Sequence, residues 1–212
     1  MREVKMMESK QILNNLKGRK PRILGEEDFF KVSVLLPLVE KDGETHVLFE
    51  VRASHMRRQP NEVCFPGGKL DKNDLDERQC AIRETTEELG IHETDISDVI
   101  PLDYMVSAFG TIIYPFVGII EDINKLQPNP DEVGQVFTVP LSYLKETEPD
   151  RYKVHFEVKP EDGFPFDLIV GGENYNWQTR HMDEYFYSYD GHVIWGLTAR
   201  ILTHFLKVTV IE

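Results

Sequence analysis

Within six positions the chain places Arg83, Glu84, Glu87 and Glu88, residue types that can hold a cation and steady it. On an α-helix each residue advances about 100°, so Glu84 and Glu88 lie one turn apart on one face with Glu87 beside them. Carboxylates at i, i+3 and i+4 repel, costing a bare helix about 0.2–0.5 kcal/mol per pair. A divalent cation reverses that sign. All-oxygen ligands of this kind suit Mg²⁺ or Mn²⁺, which keep several waters and also accept phosphate oxygens as ligands. Paired glutamates on a helix are more often a solvated face, so the acids alone do not decide the chemistry.

The surrounding residues supply the element that positions them. A loop from Gly67 feeds a helix: Asp74 followed by Glu77 fits a capping box, and Gly90 stands where a left-handed residue terminates a helix. The spacing predicts a helix over 75–89, anchored through Leu75, Ile82, Thr86 and Leu89 on the side away from the carboxylates. Gly68, Arg83-Glu84, Glu87-Glu88, Gly90 and Ile91 resemble the Nudix box, G-x5-E-x7-R-E-U-x-E-E-x-G-U with U aliphatic. Asp74 replaces the box glutamate, one extra residue separates it from Arg83, and Thr85 takes an aliphatic position. The insertion falls near the predicted helix start, where a loop can absorb it.

Immediately upstream, Arg52, Ala53-Ser54, Arg57, Glu62 and Phe65-Pro66-Gly67-Gly68 are similar to the signature of the coenzyme A diphosphatases, L-L-T-x-R-S, Arg, G-Q or G-E, then F-P-G-G. Gln59 and Asn61 depart from the His and Gly often found there. Further matches at Pro115-Phe116-Val117, Glu132-Val133, Val139-Pro140-Leu141 and Ile194 to Ala199 extend the resemblance over most of 31–206. It implies that Glu84 and Glu88 are metal ligands, Glu87 a further ligand or base, and Arg83 the residue that steadies them. Glu132 either completes the metal shell or activates water, with a solvated loop carboxylate as the alternative. Arg52 and Arg57 carry planar guanidinium forks suited to phosphate oxygens, against the plainer reading of surface salt bridges. Gly67 and Gly68 are assigned to the substrate side, and Phe65 and Trp195 to the core.

The implied reaction is coenzyme A plus water giving 3′,5′-ADP and 4′-phosphopantetheine, with acyl-coenzyme A or oxidised forms as variants. Two rivals stand beside it: a Nudix hydrolase acting on ADP-ribose, a dinucleotide or a damaged nucleotide, and a Nudix-like domain that senses a nucleotide without cleaving it. The complete set of Arg83, Glu84, Glu87 and Glu88 speaks against the sensor.

The rest of the chain frames this helix. Residues 2–17, with Val4, Met7, Ile12 and Leu16 among polar residues, predict an amphipathic helix that packs on the protein. Lys17, Arg19, Lys20 and Arg22 read as a solvated loop. Val32 to Val39 and His46 to Val51 around Asp42-Gly43 predict a hairpin, with further strands at 112–120, 134–139, 152–158 and 184–189. Residues 193–206 carry apolar positions at helical spacing. Strands interleaved with helices indicate a mixed sheet covered by helices, and the resemblance makes this a Nudix-type α/β/α sandwich with an N-terminal helix and a C-terminal hairpin plus helix. One domain over 1–212 is expected, with 1–25 a helical extension and 31–206 the core.

A net charge of −13 disfavours a protein that neutralises a nucleic acid backbone, while a few arginines can still grip a small nucleotide substrate. The two cysteines, Cys64 and Cys80, form neither a disulfide framework nor a metal-ligand spacing. With no long apolar stretch at the N-terminus, the expectation is a cytoplasmic protein that spans no membrane. The sequence does not specify an oligomeric state.

Overall fold

The computed structural model describes residues 2–209, with side chains from residue 8 onward. Helix α1 (Arg2–Leu16) forms as predicted, but Ile12, Leu13 and Leu16 are all exposed. These three apolar side chains are therefore not packed into a core, contrary to expectation; Val4 and Met7 lie outside the described side chains. Strands β1 (Phe30–Lys41) and β2 (Glu44–Arg52) make the predicted hairpin, with Lys41 opposite Glu44. Asp42 and Gly43 take φ of 53° and 85°, the double left-handed pair of a type I′ turn whose twist matches the flanking strands.

Short strands β3 (Val63–Cys64) and β4 (Gly67–Lys69) lead to helix α2 (Glu77–Leu89). They are followed by β5 (Ile96–Pro101), β6 (Met105–Ser107), β7 (Thr111–Ile120), β8 (Val133–Pro140) and helix α3 (Leu141–Glu146). The chain closes with β9 (Asp150–Phe156), β10 (Arg180–Tyr189), β11 (His192–Trp195) and helix α4 (Gly196–Val208). Among the described residues β1 to β8 form one mixed sheet, parallel at β1·β7 and antiparallel elsewhere, and β9 to β11 form a second.

Period-two alternation along β1 sends Leu35 toward Ala81 of α2 and Leu36 toward the opposite layer, where Leu202 and Phe205 of α4 pack with Phe49 and Tyr187. A second cluster joins Leu48 of β2 to Leu89 of α2. Burying each such side chain contributes about 1.5–3 kcal/mol. The sheet is thus covered by α2 on one face and by α4 with the C-terminal hairpin on the other, the expected α/β/α sandwich.

Several boundaries moved. Ile194, expected within the last helix, pairs with Tyr187 across the β10·β11 hairpin, so α4 begins only at Gly196. Cross-strand pairing takes precedence there over helical apolar spacing. The predicted strands near 152 and 184 begin earlier, at Asp150 and Arg180. Helix α3 and strands β3 to β6 were not anticipated, and β4 takes the start of the segment read as a loop from Gly67; they are short, and β5 is interrupted by a register shift between Ser97 and Ile100. No helix among the described residues is long and apolar enough to cross a membrane.

Candidate active site

Helix α2 starts two residues later than predicted because Asp76, not Asp74, caps it: the Asp76 carboxylate accepts from the Gln79 backbone N–H at 2.8 Å. Leu75 falls outside the helix, is 89% exposed and anchors nothing. Cys80, Ala81, Ile82, Thr85 and Leu89 form the buried side, while Thr86 is only partly covered. Thr85 tolerates its aliphatic position because its hydroxyl donates to the Ala81 carbonyl at 2.7 Å.

Released from capping, Asp74 turns to Arg83. The guanidinium donates to both Asp74 oxygens, through Nε at 2.9 Å and Nη2 at 3.0 Å, a fork the side chain of Asp74 meets while only 2% exposed. The inserted residue thus makes room for a dedicated cap and leaves Asp74 as the partner of Arg83. The same guanidinium reaches Glu84 at 2.8 Å and Glu87 at 3.1 Å and donates to the Lys69 carbonyl. It is held firmly protonated, first by Asp74 and then by Glu84.

These bonds carry a prediction. The hydrogen bonds from Arg83 hold the Asp74 carboxyl down to about 2. A depressed carboxyl contributes stability that is complete above its unfolded value of roughly 3.9 and disappears as pH falls through the folded one. Asp74→Asn is expected to lose about 1.5–3 kcal/mol at neutral pH. Urea titrations of both proteins at falling pH should show the gap closing below the ordinary aspartate range, and a gap that stays constant into strong acid would exclude the ion pair as its source.

Glu88 lies on the buried side of α2 and accepts from the Gly67 N–H at 2.7 Å. Burial, with Glu50 and Glu84 nearby, pushes its carboxyl well above the usual range. Burial likewise raises Glu84, more than Arg83 lowers it. Gly67 sits on the middle of β1, where a Cβ would meet the Val34 Cα at 2.6 Å; at Gly68 a Cβ would lie 2.6 Å from Glu84 Oε1. Both glycines therefore let backbone and carboxylates approach closely.

The carbonyls of Glu88 and Leu89, free at the helix end, accept from the N–H groups of Asn129 and Gln127. That ties the following loop to α2 and brings Glu132 beside Glu50, Glu84 and Glu88. Its Oε2 accepts from Asn129 Nδ2 at 3.3 Å. Arg52 extends from the same strand as Glu50 and lines an adjoining cleft, but Arg57 is exposed on the loop after β2 and is not among the cleft residues. The structure brings together Arg83, Glu84, Glu87, Glu88, Gly67, Gly68 and Glu132, with Arg52 nearby and Arg57 apart.

That cleft, of about 640 Å³, adjoins the carboxylates through Gly67 and Cys64. Its apolar walls include Met105, Phe109, Met182, Trp195 and Leu197. Phe65 is buried as expected, stacked on Phe49 with centroids 5.0 Å apart. Trp195 is not core: it is 43% exposed at the end of β11, stacked on Phe186. Sequence reading missed it because a strand end exposes a ring that a helix would have buried.

Among the described residues no three His, Cys, Asp or Glu side chains already close around one point in metal-ligand geometry, since Glu84 and Glu87 lean on Arg83. The donor set nevertheless fits a hard cation: buried carboxylates of one sign face each other, and Glu50 Oε2 is buried without a hydrogen-bond partner.

A Gly-lined carboxylate helix on a mixed sheet of this kind defines a class, and the chain belongs to the Nudix hydrolase family, whose NUDIX domain profile matches residues 29–159. Its relatives include the peroxisomal coenzyme A diphosphatase NUDT7 of Mus musculus, 42% identical over 114 residues, or 54% of this chain and 48% of the relative. The peroxisomal coenzyme A diphosphatase ndx-8 of Caenorhabditis elegans is 36% identical over 135 residues, 58% of this chain and 53% of that one. This chain therefore spans about half the length of those two relatives. The uncharacterized Nudix hydrolase NudL of Photorhabdus laumondii is 31% identical and covered to 80% on both sides. A solved MutT/nudix family protein from Enterococcus faecalis superposes with a TM-score of 0.48 at 16% identity, covering 94% of this chain and 68% of that one, a likeness too slight to bear on function.

Proposed function

We propose that the protein hydrolyses the diphosphate bond of coenzyme A or its derivatives to 3′,5′-ADP and 4′-phosphopantetheine. The observation that carries this reading is the junction at Gly67, where the α2 carboxylates meet an arginine and an apolar cleft. Such a junction suits a substrate with a charged diphosphate and a long, weakly polar arm. The likeness to the coenzyme A diphosphatases NUDT7 and ndx-8 supports it.

Nudix hydrolases generally require divalent metal ions. Here Glu84, Glu87 and Glu88 would hold Mg²⁺ or Mn²⁺, which when bound offsets diphosphate charge and lowers the pKa of water. Arg83, pinned by Asp74, keeps Glu84 and Glu87 in place. Glu132, engaged with Asn129 through Oε2, has Oε1 to take a proton from the attacking water. Arg52 grips a phosphate oxygen, a role that exposed Arg57 takes only by movement of its loop. Trp195, Met105 and Leu197 cover the pantetheine arm, and Glu184, whose Oε2 is buried and unpartnered, accepts from its amide N–H. A reducing compartment, in the simplest case the cytoplasm, suits the free thiols Cys64 and Cys80.

The test is a comparison of kcat/KM for coenzyme A, ADP-ribose and a diadenosine polyphosphate with Mg²⁺ or Mn²⁺, with the products separated chromatographically. Coenzyme A is expected to lead by about tenfold or more, some 1.4 kcal/mol of transition-state preference. A lead for ADP-ribose would reject the substrate and keep the chemistry.

A further inference from the structure

Glu50 stands near the C-terminal end of β2, between Cys64 of β3 and Val136 of β8, and is 1% exposed. A buried carboxylate costs several kcal/mol unless it is paired, and among the described residues no lysine or arginine forms a salt bridge with it. Its Oε1 accepts a weak S–H bond from Cys64 at 3.2 Å, and its Oε2 accepts none. Alternation along β2 turns Leu48, Glu50 and Arg52 to the face that carries α2, where Leu48 packs with Leu89. On that face the charged neighbours of Glu50 are Glu88 and Glu132, both of its own sign, and Arg52.

We infer that Glu50 is an additional carboxylate of the cation site, reaching it from the sheet while Glu84, Glu87 and Glu88 reach it from the helix. The inference rests on the metal-dependent reading above. A carboxylate buried beside two others, with one oxygen unsatisfied and Arg52 near it but in no salt bridge with it, is a stability defect that a dication removes. The Gly67 segment places it well: Cys64, three residues before Gly67, bonds Glu50, and the Gly67 N–H bonds Glu88. Glu50 and Glu88 thus flank the Cys64 to Gly67 segment, one from the sheet and one from the helix above it.

The experiment uses the full chain without nucleotide, titrated with Mn²⁺ by calorimetry and by electron paramagnetic resonance of the free ion. Glu50→Gln, Glu50→Thr and, as a control, Glu84→Gln are compared with wild type. Both Glu50 variants are expected to bind Mn²⁺ about 10–100-fold more weakly, to melt in metal-free buffer no lower than wild type, and to gain less Tm from Mn²⁺. Unchanged Mn²⁺ affinity in both Glu50 variants, beside a weakened Glu84→Gln, overturns the role of Glu50 alone. Absence of Mn²⁺ binding to wild type overturns this inference together with the metal-dependent reading. Loss of metal-free stability or of folding in both Glu50 variants also overturns it, because Glu50 would then be a structural anchor.

Discussion

Glu84→Gln and Glu88→Gln are each expected to turn over substrate slower by roughly three orders of magnitude or more, with the fold retained. Both changes keep side-chain shape and remove one negative charge from the proposed cation site. A glutamine at 88 can still accept from the Gly67 N–H through its amide oxygen, so that backbone contact survives. Removing a buried charge relieves both its desolvation and the repulsion from Glu50 and Glu84, so the metal-free melting temperature should hold. Glu87→Gln is the internal comparison: its carboxylate is 54% exposed and touches Arg83, so its loss should be smaller. Steady-state kinetics over a range of Mg²⁺, alongside far-ultraviolet circular dichroism, checks the series. Near-normal kcat in both buried variants would remove the ligand roles, whereas activity regained at high Mg²⁺ would mark weakened metal affinity.

The second large effect separates two adjacent glycines that look alike in the sequence. At Gly67 an added Cβ meets the backbone of Ser33 and Val34 on the central strand, atoms that cannot move without shifting the sheet. Gly67→Ala is expected to cost about 3 kcal/mol or more, which for a chain of this size lowers Tm by roughly 6–12 °C. At Gly68 the atoms nearest the Cβ all belong to the Glu84 carboxylate, the far end of a side chain. Gly68→Ala should therefore leave Tm within a few degrees while displacing a proposed ligand, and a displacement of about 1 Å can reduce turnover about 10²-fold. Thermal melts and kcat measured on the same two preparations decide this. Equal effects on stability and on turnover at the two positions would show that the close approaches do not govern the site.

The carboxylate-bearing helix α2 was legible in the chain because its information is local. Helical geometry alone places Glu84, Glu87 and Glu88 together, and Gly90 ends α2 as expected. The hairpin was legible for the same reason, since Asp42-Gly43 fixes its turn and register within four residues. What short-range pattern could not decide was which of two nearby aspartates would cap α2; Asp74 is taken by Arg83, nine residues away, so Asp76 caps instead.

Glu50 has no local mark, because an acidic residue in an apolar strand reads the same whether it faces solvent or a site. Only the register of β2 with β3 and β8, and the packing of α2 over that face, bury it beside Glu88. The cleft is equally nonlocal, with walls drawn from β6, β10, β11 and the start of α4. Trp195 is exposed there because β11 pairs with β10 before α4 begins. Backbone periodicity was enough to set the carboxylate-bearing helix and the alternation of the central strands. Which charges are buried together, and what lies beside them, came from packing between segments far apart in the chain.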